Sequence, residues 1–208
     1  MTSAPKTPTL QGTLVRLEPL SLAHLPALEA IAFDPSIWQY MTTWIATPTD
    51  LRAWVEEALR QQAAGSAMPW VIVAQGLTGA ADAVIGSTRF ADLSRAHRHT
   101  ELGYTWLAEP YRGTGLNTEV KLLQLRFGFE TLGLNRIAFK THHANERSQA
   151  ALRKLGAVYE GTFRHHYFMP DGSLRDSVWY SIVREEWPAM KLRLTARVAE
   201  FVALQRQA

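Results

Sequence analysis

The sequence predicts one mixed α/β domain. Three observations carry that class: strand-like and helix-like runs alternate in the order β-α-α-β-β-β-α-β-α-β-β before a final helix, cap and turn signals separate them, and 47% hydrophobic against 20% charged residues is an ordinary globular balance. A chain of 208 residues is long enough to bury one sizeable core, and no apolar run reaches the length of a membrane span.

Residues 1–9, with Pro5 and Pro8 among small polar residues, read as a flexible tail. The run 14–20, "LVRLEPL", alternates as a half-buried strand does. Ser21 can cap a helix over 22–32, in which Leu22, Leu25, Leu28 and Ile31 recur at helical spacing. An aromatic-rich connection, 34–48, is bounded by Pro35 and Pro48. Thr49 or Asp50 can then cap a helix over 51–62 whose apolar face is Leu51, Trp54, Val55, Ala58 and Leu59. Strands are expected at 69–75 and 83–90, joined by a glycine-containing turn, and at 99–110, where Leu102, Tyr104 and Trp106 alternate against Glu101 and Thr105. Val120, Leu123 and Phe127 mark a helix over 117–132, and "RIAFKT" (136–141) is a short strand. The helix 145–156 closes at Gly156. Strands 157–168 and 174–183 flank "PDGS", a hairpin turn. The last segment, 186–207, sets Trp187, Met190, Leu194, Val198 and Phe201 on one side of a helix. The division this suggests is a tail (1–9), a domain (10–186) and a C-terminal helical extension (187–208), the last a candidate for pairing two chains into a homodimer.

Composition removes several functions. There is no cysteine, hence no disulfide, thiolate metal site or cysteine nucleophile. The net charge of +3 is accounted for by Lys191, Arg193, Arg197 and Arg206 against Glu200, leaving a near-neutral remainder that does not suggest a nucleic-acid partner. The N-terminus lacks the apolar core of a secretory signal, so a cytoplasmic location without membrane attachment is expected. Adjacent His165 and His166 on a strand point to opposite faces and do not suit one metal.

The most informative stretch is "EPYRGTGLNTEVK", 109–121, where a strand ends, a glycine loop follows and a helix starts. Backbone N–H groups at such a helix start, with the positive end of its dipole, make an anion site. The loop lacks the lysine and spacing of a Walker A motif and the third glycine of a dinucleotide fingerprint. Taken alone, it is also compatible with a tight loop that holds nothing.

The ordered set "RGTGLN", "NERSQAALRKLGAVYEGTFRHH" and "DGSLRDSVWYSI" resembles the GNAT superfamily of acetyl-CoA-dependent N-acetyltransferases, more closely the branch that includes the ribosomal-protein alanine N-acetyltransferases. The resemblance covers about residues 10–186 and implies a central, mostly antiparallel, splayed sheet flanked by helices. The family's pyrophosphate loop reads Arg/Gln-x-x-Gly-x-Gly/Ala. Arg112 and Gly115 match it, and Asn117 replaces the last small residue. By this resemblance the backbone of Arg112, Gly113, Thr114, Gly115, Asn117 and Thr118 would cradle the CoA pyrophosphate, Arg112 adding charge, while the backbone of Trp106 and Leu107 would pair with the pantetheine arm. Asn117, a residue type favoured at helix starts, is expected to cap its own helix. Asn145 and Ser148 match the family's Asn-x-x-Ser. Asn145 would lie near the CoA arm and Ser148 near the thiol, and either could also serve the first turn of its helix.

Acetyl transfer to an amine needs a neutral nitrogen, a held thioester and a proton for the leaving thiolate. A lysine amine, with pKa near ~10.4 against ~7.8 for an α-amine, costs about 3.5 kcal/mol more to deprotonate at equal pH. Glu101 is the candidate base, with an exposed strand carboxylate as its alternative reading; Ser148 and Tyr104 are candidate proton donors. Trp38, Tyr40, Trp44 and His165 are candidate acceptor-site residues, although packing is the default for such aromatics. Arg175 and Asp176 resemble the branch's Arg-Asp after the hairpin turn, which implies a structural ion pair, with an acceptor contact as the alternative. The expected function is thus acetyl transfer from acetyl-CoA to a primary amine, either a protein N-terminal α-amine or a small-molecule amine, without a metal. The rival is a CoA-binding regulatory or interaction module that kept the fold and lost turnover.

Overall fold

The computed structural model describes residues 7–76 and 81–205. Eight strands form one sheet: β1 (Leu10–Gln11), β2 (Val15–Pro19), β3 (Met68–Ala74), β4 (Ala83–Ser94), β5 (His99–Leu107), β6 (Arg136–His142), β7 (Val158–Phe168) and β8 (Leu174–Val183). Their spatial order is β1-β2-β3-β4-β5-β6-β8-β7, and every neighbouring pair is antiparallel except β5 and β6. The helices are α1 (Leu25–Ala32), α2 (Pro35–Trp38), α3 (Pro48–Ala63), α4 (Leu116–Arg126), α5 (Glu146–Leu155) and α6 (Trp187–Gln205). The mixed α/β class is the one expected, and the expected elements appear in their order, with two short additions: the strand β1 and the one-turn helix α2.

Two cores sit on the two faces of the sheet. One joins Trp38, Leu51, Trp54 and Val55 of α2 and α3 to Val71, Val73 and Trp106. The other joins Leu116, Val120 and Leu123 of α4 and Trp187, Met190, Leu194 and Val198 of α6 to Trp70, Ile72 and Phe90. Covered on both faces, β3 is buried along nearly its whole length, which is why it reads as an unbroken apolar run.

Local departures from the expected boundaries have local causes. The N-cap of α3 is Thr47, whose side chain accepts from Asp50 N, because Pro48 is preorganised for the first helical position. Within the 34–48 connection, Asp34 accepts from Ser36 N at 2.9 Å and starts the one-turn α2. A 3-10 turn, Leu22–His24, leads into α1. Beyond Arg126, α4 widens into a π turn over Phe127–Thr131, closed by Leu132 N to Phe127 O. Gly156, at φ +96°, ends α5 as expected.

Two tethers were not legible. The Glu119 carboxylate on α4 accepts from the N–H groups of Thr13, Leu14 and Val15 at 2.8, 2.6 and 2.8 Å, fixing the β1–β2 turn to the helix. Of the expected tail, residues 1–6 lie outside the described residues, but Thr7 is buried, its hydroxyl accepts from Gln62 Nε2, and Pro8 O accepts from Trp70 Nε1 at 2.8 Å. Residues 7–9 are therefore docked rather than loose. The turn at 77–80 and residues 206–208 also lie outside the described residues. The helical extension, too, is no appendage: its apolar stripe belongs to the main core against α4, so a dimer formed through α6 would have to use its outer face, where Leu192 is exposed.

Because Leu194 has no exposure, Leu194→Ala is expected to cost about 2–5 kcal/mol of unfolding free energy in urea titration, whereas a loosely appended helix would show a change below about 1 kcal/mol.

Candidate active site

The site begins where two strands part. β5 and β6 pair only at His99↔Arg136, Thr100↔Ile137 and Glu101↔Ala138, after which each continues without the other. The cause lies on the other edge of β5. There Ser87 pairs Trp106 and Arg89 pairs Gly103, so Tyr104 and Thr105 stand opposite Thr88 alone, a β-bulge. Tyr104 takes φ +53°, the left-handed region that a residue with a Cβ rarely adopts. Its ring lies 4.3 Å from the Arg89 guanidinium, which also lies 5.0 Å from the Trp54 ring and donates from Nη1 to Gln61 Oε1 at 3.0 Å. Beyond Glu101 the β6-facing main-chain edge of β5 is left without a strand partner, forming one wall of a cleft.

The glycine loop stands at the end of that wall. Gly113 and Gly115 take φ +79° and +86°, and Gly115 is the N-cap of α4. A Cβ at Gly113 would meet nothing within 4 Å, whereas one at Gly115 would stand 2.5 Å from the Phe201 ring. Among the described residues, the N–H groups of Gly113, Thr114, Leu116 and Asn117 donate to no protein oxygen, while Thr118 N turns to Gly115 O at 2.8 Å and the Thr114 hydroxyl to Tyr111 O. An open cradle of undonated amides at a helix start fits a diphosphate.

Two expectations about this loop are corrected. Asn117 does not cap its helix: the left-handed Gly115 turns the chain into α4 one residue earlier, so Asn117 is already helical, and its Oδ1 is buried without a partner. It shares the inner face of α4 with Lys121 and Gln124, whose positions follow at four and seven residues. Lys121 is buried, donates to Thr105 Oγ1 at 2.9 Å, and is pulled down to about 7 by desolvation. Arg112 does not present a spare charge either. Its Nε donates to Leu107 O, Nη1 to Ser36 Oγ and Nη2 to Asp34 Oδ2 at 2.8, 2.8 and 3.2 Å, so it ties the loop to α2 and is neutralised there.

Glu101 sits at the apex of the cleft, 5% exposed, which removes the exposed-carboxylate reading. Gly103 leaves room for it, since a Cβ there would stand 2.7 Å from Glu101 Oε1. Burial pushes its carboxyl up, and Lys140, with Nζ 2.9 Å from Oε2, opposes the shift. Lys140 also donates to Tyr167 Oη at 2.9 Å; burial pulls it down, but Glu101 and Tyr167 together leave it raised. Half-buried Tyr104 is raised by burial, against the pull of Arg89, and so stays protonated. On the β6 side, Asn145 Oδ1 accepts from Ser148 N at 3.0 Å, the N-cap of α5, with Ser148 partly buried beside it.

The acceptor-site expectations divide. Trp38 has no exposure, donates from Nε1 to Ala32 O at 2.7 Å and packs with Trp54 and Trp106, so it is core and not a pocket wall. Trp106 likewise turns its indole into that core. Tyr40 is half-buried and lies against His142, with ring centroids 5.4 Å apart, while Trp44 is exposed. His165 is exposed, at φ +49°, and its N–H donates to Asp176 Oδ1 at 2.7 Å. The β7–β8 register jumps from Phe163↔Ser177 to Tyr167↔Arg175, so strict alternation fails at the two histidines. His166 packs on Phe163, Tyr167 and Trp179. Nor do Arg175 and Asp176 form an ion pair: Arg175 donates to Ser177 Oγ and Tyr40 O, and Asp176 serves His165. Lys140, Lys121 and Arg89 were missed because each reads in sequence as an ordinary strand or helix cation.

A model of the acetyltransferase (GNAT) domain matches residues 15–158. The chain belongs to the GNAT acetyltransferase family. A solved structure from T. thermophilus, assigned as an acetyltransferase, is 40% identical with a TM-score of 0.81, covering 95% of this chain and 99% of that one. YdaF of Bacillus subtilis (strain 168), assigned as a ribosomal N-acetyltransferase, is 32% identical over 51% of this chain and 57% of its own length. The spermidine N(1)-acetyltransferase of Escherichia coli (strain K12) is 27% identical over 50% of this chain and 55% of its own. The chain thus spans little more than half the length of these two curated relatives. No helix among the described residues is long and apolar enough to cross a membrane.

Gly115→Ala, which combines a left-handed φ with the Phe201 contact, is expected to destabilise the fold by about 1–3 kcal/mol. Gly113→Ala, with open space at its Cβ, should cost about 1 kcal/mol. Equal losses for the two in denaturant titration would contradict the packing of α6 behind the loop.

Proposed function

We propose that this GNAT-family chain is an N-acetyltransferase that takes acetyl-CoA and a primary amine and joins them by direct attack. The observation that carries this reading is the parted β5–β6 pair, with a buried carboxylate at its apex and a cradle of undonated amides at its mouth. Acetyl-CoA, when bound, supplies the acetyl group as a thioester. The loop from Gly113 to Thr118 would hold its diphosphate through main-chain N–H groups, Arg112 contributing by fixing the loop rather than by direct charge. The free edge of β5 through Leu107 would receive the extended arm as an added strand receives a partner.

Within that frame Glu101 takes the amine's proton, directly or through water. Lys140 holds the carboxylate in place and keeps a charged form accessible despite burial. Tyr104, held protonated, and the Ser148 hydroxyl at the cap of α5 would return a proton to sulfur in this reading. An α-amine asks less of such a base than a lysine amine does, by about 3.5 kcal/mol. That favours a peptide N-terminus or an α-amino compound as acceptor, and a cytoplasmic location where acetyl-CoA is at hand.

The test is thiol release with acetyl-CoA against N-terminal peptides and small amines, with the product confirmed by a mass increase of one acetyl group. Glu101→Gln should lower kcat by about 10²–10⁴ while acetyl-CoA binding is retained; an unchanged kcat removes Glu101 from the mechanism. Because a base works deprotonated and burial raises Glu101, the acidic limb of the rate profile should lie above the ordinary carboxylate range. Lys140→Met removes the opposing cation and should carry that limb to still higher pH.

A further inference from the structure

The cleft face beside Glu101 holds a cation, Arg175, that no carboxylate among the described residues contacts, although Asp92 also lies within electrostatic reach of Glu101. Arg175 on β8 is 6% exposed, and both its partners are neutral: Nε donates to Ser177 Oγ and Nη1 to Tyr40 O, each at 3.1 Å. Nη2 has no partner among the described residues. The carboxylate within electrostatic reach is Glu101, and Lys140 already occupies it at 2.9 Å. Asp176, the next residue, accepts from His165 N. The other titratable groups facing Arg175 are Tyr104, Tyr167, His142 and His166, none of them a carboxylate. A buried guanidinium with only neutral partners lacks what its planar fork matches best, a carboxylate.

The aromatic faces argue in the same direction. Lys140 Nζ lies 4.8 Å from the Tyr167 ring and 5.3 Å from the Trp179 ring, and the Arg175 guanidinium lies 5.9 Å from Tyr167. The π faces of Tyr167 and Trp179, which could receive an ammonium group of a polyamine, are thus taken by the protein's own cations. A second positive charge on the acceptor would approach Lys140 and Arg175 and be repelled by both.

We infer that Arg175 anchors a carboxylate on the acceptor, and that the substrate class is amines bearing an acid group close to the reacting nitrogen, an acidic N-terminal peptide or a free amino acid, rather than polyamines. This rests on the N-acetyltransferase reading and narrows it. The anchor and the base share one face of the sheet, with Tyr40 and Tyr167 beside the anchor, so an acid-bearing amine can engage both at once.

The experiment measures kcat/KM with acetyl-CoA for matched acceptors: a peptide with Asp at its second position and the same peptide with Asn, free glutamate and its α-carboxamide, and spermidine. The expected result is a preference of about tenfold or more for the acid over its amide, the peptide pair and the amino-acid pair telling which source supplies it. Arg175→Gln should collapse that ratio toward one through KM, and Arg175→Lys should restore part of it. The wild-type acid-to-amide ratio decides the matter even if the variants do not fold. Equal rates for acid and amide, or spermidine as the best acceptor, overturn this inference and leave the transferase standing. Silence with every amine overturns both.

Discussion

Everything distinctive about the site follows from one extra residue in β5. A regular β5 would pair with β6 along its length and the sheet would be closed; with Tyr104 and Thr105 both opposite Thr88, the strand bends and the pairing ends at Glu101. The left-handed conformation of Tyr104 costs about 1–2 kcal/mol for an L-residue. Packing of its ring on the Arg89 guanidinium, a contact worth about 0.5–2 kcal/mol when desolvated, offsets much of that. The two effects are of one size, so the bulge is held by its surroundings rather than by the preference of its own residue. Arg89 is itself 2% exposed with Nε and Nη2 unpartnered, and burial lowers its pKa. The cation that steadies the bulge is therefore itself costly to keep.

The same scarcity of carboxylates runs through the cleft. Glu101, the proposed base, also neutralises Lys140, and no second acid contacts Arg175 among the described residues. Lys121 meets only a threonine hydroxyl. In a low-dielectric site such imbalance lowers stability unless a ligand relieves it. The charge pattern thus points outward, to what the protein acts upon, more than to its own cohesion.

The elements were largely legible, because periodicity, glycine stops and the hairpin turn are local signals. Gly156, the "PDGS" turn and the stripe of α6 read from sequence as they stand in the fold. What was not legible depends on distance. Asn117 looks like a cap because its residue type suits one, and only the left-handed Gly115 before it shows that the helix has already begun. Arg112 matches a family position, yet Asp34 and Ser36, which engage it, lie 78 and 76 residues away along the chain. Trp38 was a plausible pocket wall until Trp54 and Trp106 closed around it. Arg175 and Asp176 match the family's Arg-Asp, yet Arg175 turns to Ser177 on its own strand and to Tyr40 O far away in the chain, while Asp176 accepts from His165 on β7.

The terminal helix shows why a motif boundary is not a folding boundary. The residues that resemble the family end near 186, and the family model itself stops at 158. Yet Leu194 has no exposure and Phe201 closes against Gly115 from behind. A glycine whose Cβ side is filled by a ring from another helix cannot shift toward that side. The loop's amides are accordingly held facing outward, away from Phe201, by packing that begins after the recognisable domain has ended. α6 therefore bears on the loop from behind: its ring at Phe201 limits how Gly115 can move, and the geometry of the loop depends on the core beneath it.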